Sequence, residues 1–274
     1  MISLLLLAMI SAAPNSADCK NDNTVNPPTQ VIQGGIAYGR AAPGSTVTLN
    51  GQALQLSPRG DYVFGVARDA KSDQVLKIVS QCGPSGEYSI PVVERAFPVE
   101  RVQGVPPKTA NPPPEIAKRI AMEQADVATA RTRNDADRQD YLQTFIWPVR
   151  GRISGRFGSM RSYNGTPGAA HSGMDIAAPT GMAVKAPAAG LVTFVGPSLY
   201  LTGGTVVLDH GQGISSNFLH LSRIDVKVGD RVSQSQTIGA VGATGRATGP
   251  HLHWGMNWLN VRIDPLLLLP SGAD

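Results

Sequence analysis

Short runs of alternating apolar and polar residues, separated by glycine, recur along most of this chain and restrict it to β structure. Examples are STVTLNGQALQL from residue 45 and MAVKAPAAGLVTFVG from residue 182. A period of two is typical of a strand with one buried face, and glycine supplies the turns between such strands. The 30 Gly and 21 Pro, together with an aromatic content of 5%, favour many short strands over long helices. We therefore predict a mainly β protein.

Residues 18–103 carry a strong hairpin signal. Asn50-Gly51 stands between two pairs of alternating apolar residues, and a type I′ turn needs positive φ at both central positions. We predict a small β-sandwich of immunoglobulin-like style for this part. Because no catalytic cluster lies in it, its expected role is binding, spacing or occlusion.

Residues 104–146 connect this sandwich to the rest of the chain. The stretch GVPPKTANPPP predicts an extended connector, because proline fixes φ and removes a backbone donor. A helix is predicted within residues 115–145, which contain no Gly or Pro. Ile116, Ile120 and Val127 form only a partial apolar stripe, which indicates a largely solvated helix.

The five histidines all lie in residues 147–274, where the pattern predicts a compact antiparallel β-roll. His251 and His253 are two apart, so in a strand they project to the same face. His171 and Asp175 are four apart in HSGMD. With His253 they would supply two nitrogens and one oxygen and leave a fourth tetrahedral position for water, as in a catalytic zinc site.

A zinc ion held in this way lowers the pKa of its water towards ~7, but the attacking water still needs a base. His220 and His251 are the remaining candidates, because the ordinary histidine pKa of about 6.5 suits proton transfer at neutral pH. One would take the proton and the other would steady the oxyanion, and the sequence does not divide these roles. His210 is expected to be a turn residue without a chemical role.

The segments that carry these residues resemble the signature segments of the lysostaphin-type (LytM-like) zinc metalloendopeptidases, metallopeptidase family twenty-three. The resemblance covers about residues 147–266, through HSGMDIAAPTGMAVKAPAAGLV, VVLDHGQGISSNFLHLS, VKVGDRVSQSQTIGAVGATGRATGPHLHW and IDP. It implies a β-roll of the duplicated hybrid motif type and hydrolysis of peptide cross-links in bacterial peptidoglycan. It also implies one zinc ion per chain bound by His171, Asp175 and His253, with His220 and His251 as the catalytic pair.

Two positions depart from the family's pattern. Phe218 stands where the YxH segment usually has tyrosine, a change that keeps the ring and loses a hydroxyl. The stretch HWGMNW replaces the commoner acidic residue after HxH, so the groove wall beside Trp254 and Trp258 is expected to differ. Neither change removes an expected ligand.

The N-terminus resembles a secretory signal peptide, predicted to span residues 1–17, because an apolar run at residues 2–10 precedes small residues. The run is too short to span a bilayer. Asp18 before Cys19 disfavours a lipid anchor, so we expect export to the periplasm or cell envelope. In an oxidising compartment, the simplest pairing of the two cysteines is Cys19 with Cys82.

The expected partner is peptidoglycan, and the sequence leaves open both an envelope protein partner and the oligomeric state. Nucleic acid is not expected, because the formal net charge of +4 comes without a block of Lys and Arg. The main alternative to an enzyme is a non-catalytic wall-binding regulator or activator of another wall hydrolase. Relatives of that kind have lost the HxxxD or the HxH motif, whereas both motifs are intact in this chain. A carrier module is disfavoured because this chain lacks the exposed lysine of the carrier hairpin. A serine hydrolase is disfavoured because the chain has no GxSxG motif.

Overall fold

The computed structural model describes residues 24–80, 82–102, 112–163 and 166–270. These ranges contain one α-helix, α1 (Pro114–Arg131), and 22 strands. The strands before the helix are β1 (Val31–Ile32), β2 (Ile36–Arg40), β3 (Thr46–Leu49), β4 (Gln52–Ala53), β5 (Asp61–Gly65), β6 (Gln74–Val79), β7 (Gly86–Ile90), β8 (Val92–Val93) and β9 (Val99–Val102). The strands after it are β10 (Arg152–Gly155), β11 (Met160–Tyr163), β12 (Thr166–Ala170), β13 (Met174–Ala177), β14 (Ala183–Lys185), β15 (Gly190–Leu199), β16 (Gly203–Gly211), β17 (Ile214–Leu221), β18 (Arg223–Ile224), β19 (Arg231–Val232), β20 (Thr237–Ala240), β21 (His251–Trp258) and β22 (Val261–Ile263). The prediction of a mainly β protein is confirmed.

Three sequence predictions fall on residues outside these ranges: the signal peptide, Cys19 with its pairing to Cys82, and most of the proline-rich connector. Within the ranges, no helix combines the length and the apolarity that crossing a bilayer requires.

The part of the chain before α1 has its own hydrophobic core. Its strands form a four-stranded sheet in the order β4-β3-β6-β7, a two-stranded sheet of β2 and β5, and a parallel pair of β1 and β8. The predicted hairpin is confirmed, since Asn50 and Gly51 have φ of 48° and 81° and Leu49 pairs with Gln52. These small sheets do not confirm the immunoglobulin-like arrangement. The largest buried side chains of this core are Tyr62, Phe64, Leu76, Ile78 and Ile90.

Helix α1 is shorter than the pattern of residues 115–145 predicted. It starts with proline in its first turn, where the missing N–H costs nothing, and its single buried residue is Val127, as the partial stripe indicated. Beyond Arg131, the Asp135 carboxylate accepts hydrogen bonds from the side chains of Arg133 and Arg138. Asp135 Oδ1 also accepts the Asp137 N–H at 3.2 Å, and a local bond from backbone to side chain competes with helical backbone bonds, so the helix does not continue.

The second part of the chain is built on an eight-stranded antiparallel sheet. Its order is β10-β13-β21-β17-β16-β15-β19, with β22 paired to β21 beside this path. The strands β14-β20-β18 form a separate three-stranded sheet that shares the same hydrophobic core. Each pairing in these two sheets is antiparallel, which confirms the predicted chain direction. The fully buried side chains of this core include Trp254, Tyr141, Phe145, Phe218, Met174 and Ile176.

The two parts of the chain are joined by a strand pairing that the sequence did not predict. β9 runs parallel to β11, with Val99 opposite Met160, and the Met160 N–H donates to the Pro98 carbonyl at 2.9 Å. Elsewhere in the contact, Arg95 forms an ion pair of 2.8 Å with the buried Asp264. Strands distant in the sequence pair through backbone groups, which leave no mark on side-chain patterns.

Candidate metal centre

Strand register brings the predicted ligands together on the large sheet. β21 lies between β13 and β17, and Asp175 of β13 stands directly opposite His253 of β21. On the other side of β21, Leu219 of β17 pairs with the same histidine. His251, two residues earlier in β21, shares the face of His253. His171 lies in the turn that leads into β13.

Three polar atoms of these residues converge on one point. Asp175 Oδ1 lies 2.8 Å from His253 Nδ1 and 3.0 Å from His171 Nε2, and the two nitrogens are 3.0 Å apart. All three residues are buried. With bonds of about 2.0–2.1 Å, the ligand atoms of a tetrahedral zinc ion lie roughly 3.3 Å apart. Two imidazole nitrogens and a carboxylate oxygen at nearly this spacing therefore fit a zinc ion.

His171 is held by its backbone and its ring together. Its Nδ1 lies 3.0 Å from the Arg156 carbonyl oxygen, which can only accept, so Nδ1 carries the proton and Nε2 keeps the lone pair that a metal requires. Its backbone N–H donates to the Ser159 carbonyl, and its own carbonyl accepts from the Gly158 N–H, both at 2.9 Å.

Glycine is required at position 173, between His171 and Asp175, because the backbone there lies very close to β21. A Cβ at this position would lie 2.5 Å from the Trp254 carbonyl oxygen and 2.7 Å from His253 Nε2. The missing side chain therefore lets the turn before β13 pack directly on β21, which brings His171 within reach of His253.

His220 and His251 form a second pair beside the ligands. Their ring centroids are 4.7 Å apart, and His251 Nε2 lies 3.9 Å from Asp175 Oδ1. His220 Nδ1 lies 2.8 Å from the Thr244 carbonyl oxygen, and His251 Nδ1 lies 2.8 Å from that of Gly249. Because a carbonyl only accepts, both Nδ1 atoms are protonated and both Nε2 atoms keep a lone pair.

A bulge in β17 places His220 in the site. The pairing shifts by one residue between Val206 opposite Phe218 and Gly204 opposite Leu221, and His220 takes the left-handed φ of 64°. In a regular strand His220 would share the face of Phe218, which is fully buried in the core. The ring of Phe218 thus occupies an apolar position.

The electrostatics of the site favour a neutral His220 beside an ionised Asp175. Burial, reinforced by the neighbouring His253 and His251, lowers the pKa of His220 to about 3. Burial alone would raise the pKa of Asp175, but the adjacent imidazoles of His171 and His253 outweigh it and hold the pKa well below its usual range.

His210 is not the turn residue that we expected. It lies inside β16 and is fully buried. The burial is tolerated because each ring nitrogen has a hydrogen-bond partner. Nδ1 lies 2.7 Å from the Ala189 carbonyl oxygen and Nε2 lies 2.8 Å from Ser216 Oγ, which Trp254 Nε1 also contacts at 3.3 Å. This is a core network apart from the metal centre.

Sequence reasoning missed the main-chain acceptors of the site, the carbonyls of Arg156, Thr244 and Gly249. They orient three imidazoles, but every residue has a carbonyl, so residue type carries no signal for them.

Known proteins share this architecture and these segments. The family model described as Peptidase family M23 matches residues 169–265. A crystal structure from Pseudomonas aeruginosa, described as an M23 peptidase, is 32% identical with a TM-score of 0.66, and the alignment covers 89% of this chain and 96% of that chain.

Two curated relatives match over shorter regions. Cell division protein DipM of Caulobacter vibrioides is 35% identical over 46% of this chain, and peptidoglycan DD-endopeptidase ShyA of Vibrio cholerae is 39% identical over 44%. The alignments cover only 21% and 28% of those relatives' own lengths. With the near full-length match to the Pseudomonas structure, these findings show that the chain belongs to peptidase family M23.

Proposed function

We propose that this protein is a zinc-dependent endopeptidase that hydrolyses peptide cross-links or stem peptides of bacterial peptidoglycan. The observation that carries the proposal is the convergence of His171, Asp175 and His253 on one point, with His220 and His251 beside them. The names of the relatives ShyA and ShyC, both peptidoglycan DD-endopeptidases, support the substrate class.

Three residues would hold the metal and two would move protons. When bound by His171, Asp175 and His253, zinc supplies Lewis-acid chemistry, which polarises a peptide carbonyl and acidifies water. His220 and His251 can each accept a proton at Nε2, because Nδ1 is already committed to a carbonyl. The residue that takes the proton of the attacking water then donates it to the leaving amine as the C–N bond breaks, and its partner donates to the oxyanion when its own Nε2 is protonated.

We further propose that the protein acts in the periplasm or cell envelope. The apolar run at residues 2–10 followed by small residues supports export, and peptidoglycan lies outside the cytoplasm. A reporter enzyme that is active only after export, fused behind residues 1–30, is expected to be active. Changing Leu5→Arg should abolish that activity, and an equal signal from both fusions would contradict export.

The first experiment measures the release of soluble fragments from purified peptidoglycan, with and without a zinc chelator, and identifies the fragments by mass. We expect chelator-sensitive release of peptide-cleaved fragments, which His220→Ala abolishes. If the protein releases nothing and carries no zinc, the enzyme proposal is wrong and a wall-binding regulator is favoured. Absence of release from protein that carries one zinc per chain would point instead to a latent form or a missing partner.

A further inference from the structure

A concave site lies at the end of β21 opposite to the metal centre. It is a cleft of about 380 Å³ between the β3–β4 hairpin, β5 and the turn that joins β21 to β22. Trp258, which lines it, is five residues from His253, or about 17 Å along an extended strand. A molecule bound in this cleft therefore leaves the metal centre accessible.

The lining of this cleft is uncharged and rich in amides. Among the described residues that line it, none is Asp, Glu, Lys, Arg or His. A ligand with carboxylate or ammonium groups would find no counter-charge here, whereas a neutral ligand with many hydroxyls and amides would find donors and acceptors. The amide side chains of the lining are those of Asn50, Gln52, Gln55, Gln74, Asn134 and Gln212.

Several of these amides are available to a ligand. Gln52, Gln55 and Asn134 are exposed, and within the described residues their side chains make no hydrogen bond. Gln212 is 1% exposed; its Nε2 donates to the Asp61 carbonyl at 3.2 Å, while its Oε1 has no partner among the described residues. A buried acceptor without a donor is unfavourable, so a donor brought by a ligand would stabilise this end of the cleft.

The remaining parts of the wall are rigid. Asn50 Nδ2 donates to Gln74 Oε1 at 2.9 Å and Asn50 Oδ1 accepts from the Val75 N–H at 2.8 Å, which fixes the hairpin. Trp258 is half-buried and packs against both hydrophobic cores, so its indole is held in place. A fixed, partly exposed indole among amides offers apolar surface beside hydrogen-bonding groups, and a sugar ring carries both kinds of surface.

We propose that this cleft binds an uncharged, N-acetylated sugar chain and so holds the glycan strand while the metal centre acts on the peptide. The identification of the sugar as a wall glycan rests on the proposed function. The stem peptide is a poorer candidate, because its carboxylates and amines would face an uncharged wall. The cleft volume lies within the range of about 300–1,000 Å³ that is usual for small-ligand sites.

The test measures binding of a β-1,4-linked hexamer of N-acetylglucosamine to the full chain by titration calorimetry. We expect saturable binding that a zinc chelator does not change. The double variant Gln52→Ala/Gln55→Ala should bind about tenfold more weakly, because two hydrogen bonds to the sugar are lost. Asn134→Ala is a second, independent variant of the cleft. The control is Gln124→Ala, which removes an exposed amide from α1 outside the cleft and should leave the affinity unchanged.

The outcomes separate this proposal from the enzyme proposal. Absence of saturable binding, or equal affinity in the cleft variants and the control, would overturn the sugar site. Cleft-dependent binding of a sugar-free cross-linked peptide instead of the hexamer would overturn it in favour of a peptide subsite. Hydrolysis of that sugar-free peptide depends on the metal centre alone, so the cleft variants should cut it at the rate of the unmodified protein.

Discussion

Hydrogen bonds to single residues set the orientation of three imidazoles in the metal centre, and in each of these bonds the acceptor is a main-chain carbonyl. The shared face of His251 and His253 could be predicted, because alternation in a strand is a local property. The position of Asp175 opposite His253 follows from register, which depends on residues far apart in the sequence. The position of His220 depends on a positive φ at a non-glycine residue, for which the sequence carries no marker.

Removal of a ligand should separate metal binding from proton transfer. His171→Ala deletes one of three ligands, so we expect the purified variant to lose most of its zinc, measured by elemental analysis. His220→Ala is the matched control and should keep its zinc while losing hydrolysis. Full retention of zinc by His171→Ala would show that the ligand set is wrong.

A methyl group at Gly173 should disturb the site without removing any polar atom. Because the added carbon would press on the Trp254 carbonyl and on His253, we expect Gly173→Ala to lose about 1–3 kcal/mol of unfolding free energy and to bind zinc more weakly. Gly249→Ala is the control, since its added carbon meets nothing within 4 Å. Denaturant unfolding and zinc titration check both variants, and equal behaviour of the two would contradict the packing argument.

Acid should destabilise the protein through His210. Full burial lowers the pKa of this imidazole to about 4, so its contribution to stability is complete above the unfolded pKa of 6.5 and falls as the pH drops towards 4. The unfolded chain takes up that proton more readily, and the loss at pH 4 is about 3 kcal/mol. Urea unfolding between pH 7 and pH 4.5 should therefore depend less on pH in His210→Gln than in the unmodified protein. Parallel curves for the two proteins would exclude this role.

Among the elements, helix α1 supports the hairpin next to the metal centre. Arg119 forms an ion pair of 2.6 Å with Glu123, whose other oxygen accepts the Tyr200 N–H at 2.8 Å at the end of the β15–β16 hairpin. Two residues further on, the Thr202 carbonyl accepts the N–H of His220 at 2.8 Å. The helix therefore contacts the segment that holds a proposed catalytic residue.

Loss of the Glu123 carboxylate should loosen this hairpin. In Glu123→Ala we expect the Tyr200 amide to exchange its hydrogen about tenfold faster, because one charge-assisted hydrogen bond is lost. Asp126→Ala removes an exposed carboxylate from the same helix and is the control. If hydrogen exchange at Tyr200 is the same in both variants, α1 does not hold the hairpin.

The elements differed in how well the sequence predicted them. The hairpin at Asn50-Gly51 was correct because its turn type has a strict residue requirement. The helix was predicted too long because Asp135 and its arginine partners form a local network that propensity does not include.

For the whole molecule, the strand pairing of β9 with β11 brings the N-terminal part of the chain close to the metal centre. Phe97 packs against Gly158, whose N–H donates to the His171 carbonyl, and its ring lies 6.3 Å from that of Phe157. Among the described residues, these contacts support the turn that carries His171.

Deletion of the chain before Trp147 is therefore expected to lower the activity, and not to raise it by removing an inhibitory segment. The truncated protein loses β9 and Phe97, so His171 is held less firmly and zinc affinity should fall about tenfold or more, as for other losses of support behind a ligand. Zinc titration and fragment release from isolated walls, with full-length protein as the reference, check this. Faster release with unchanged zinc affinity would indicate that the N-terminal part occludes the groove.

The same pairing bears on the engineering of chimeric proteins from this chain. Excision at the apparent boundary near residue 147 would leave β11 with an unpaired edge, which invites association with other chains. A graft that exchanges the N-terminal part should therefore retain residues 97–102, fused by a short linker or supplied as a separate peptide. The part of this protein that could be transferred to another protein therefore consists of two segments that are separate in the sequence.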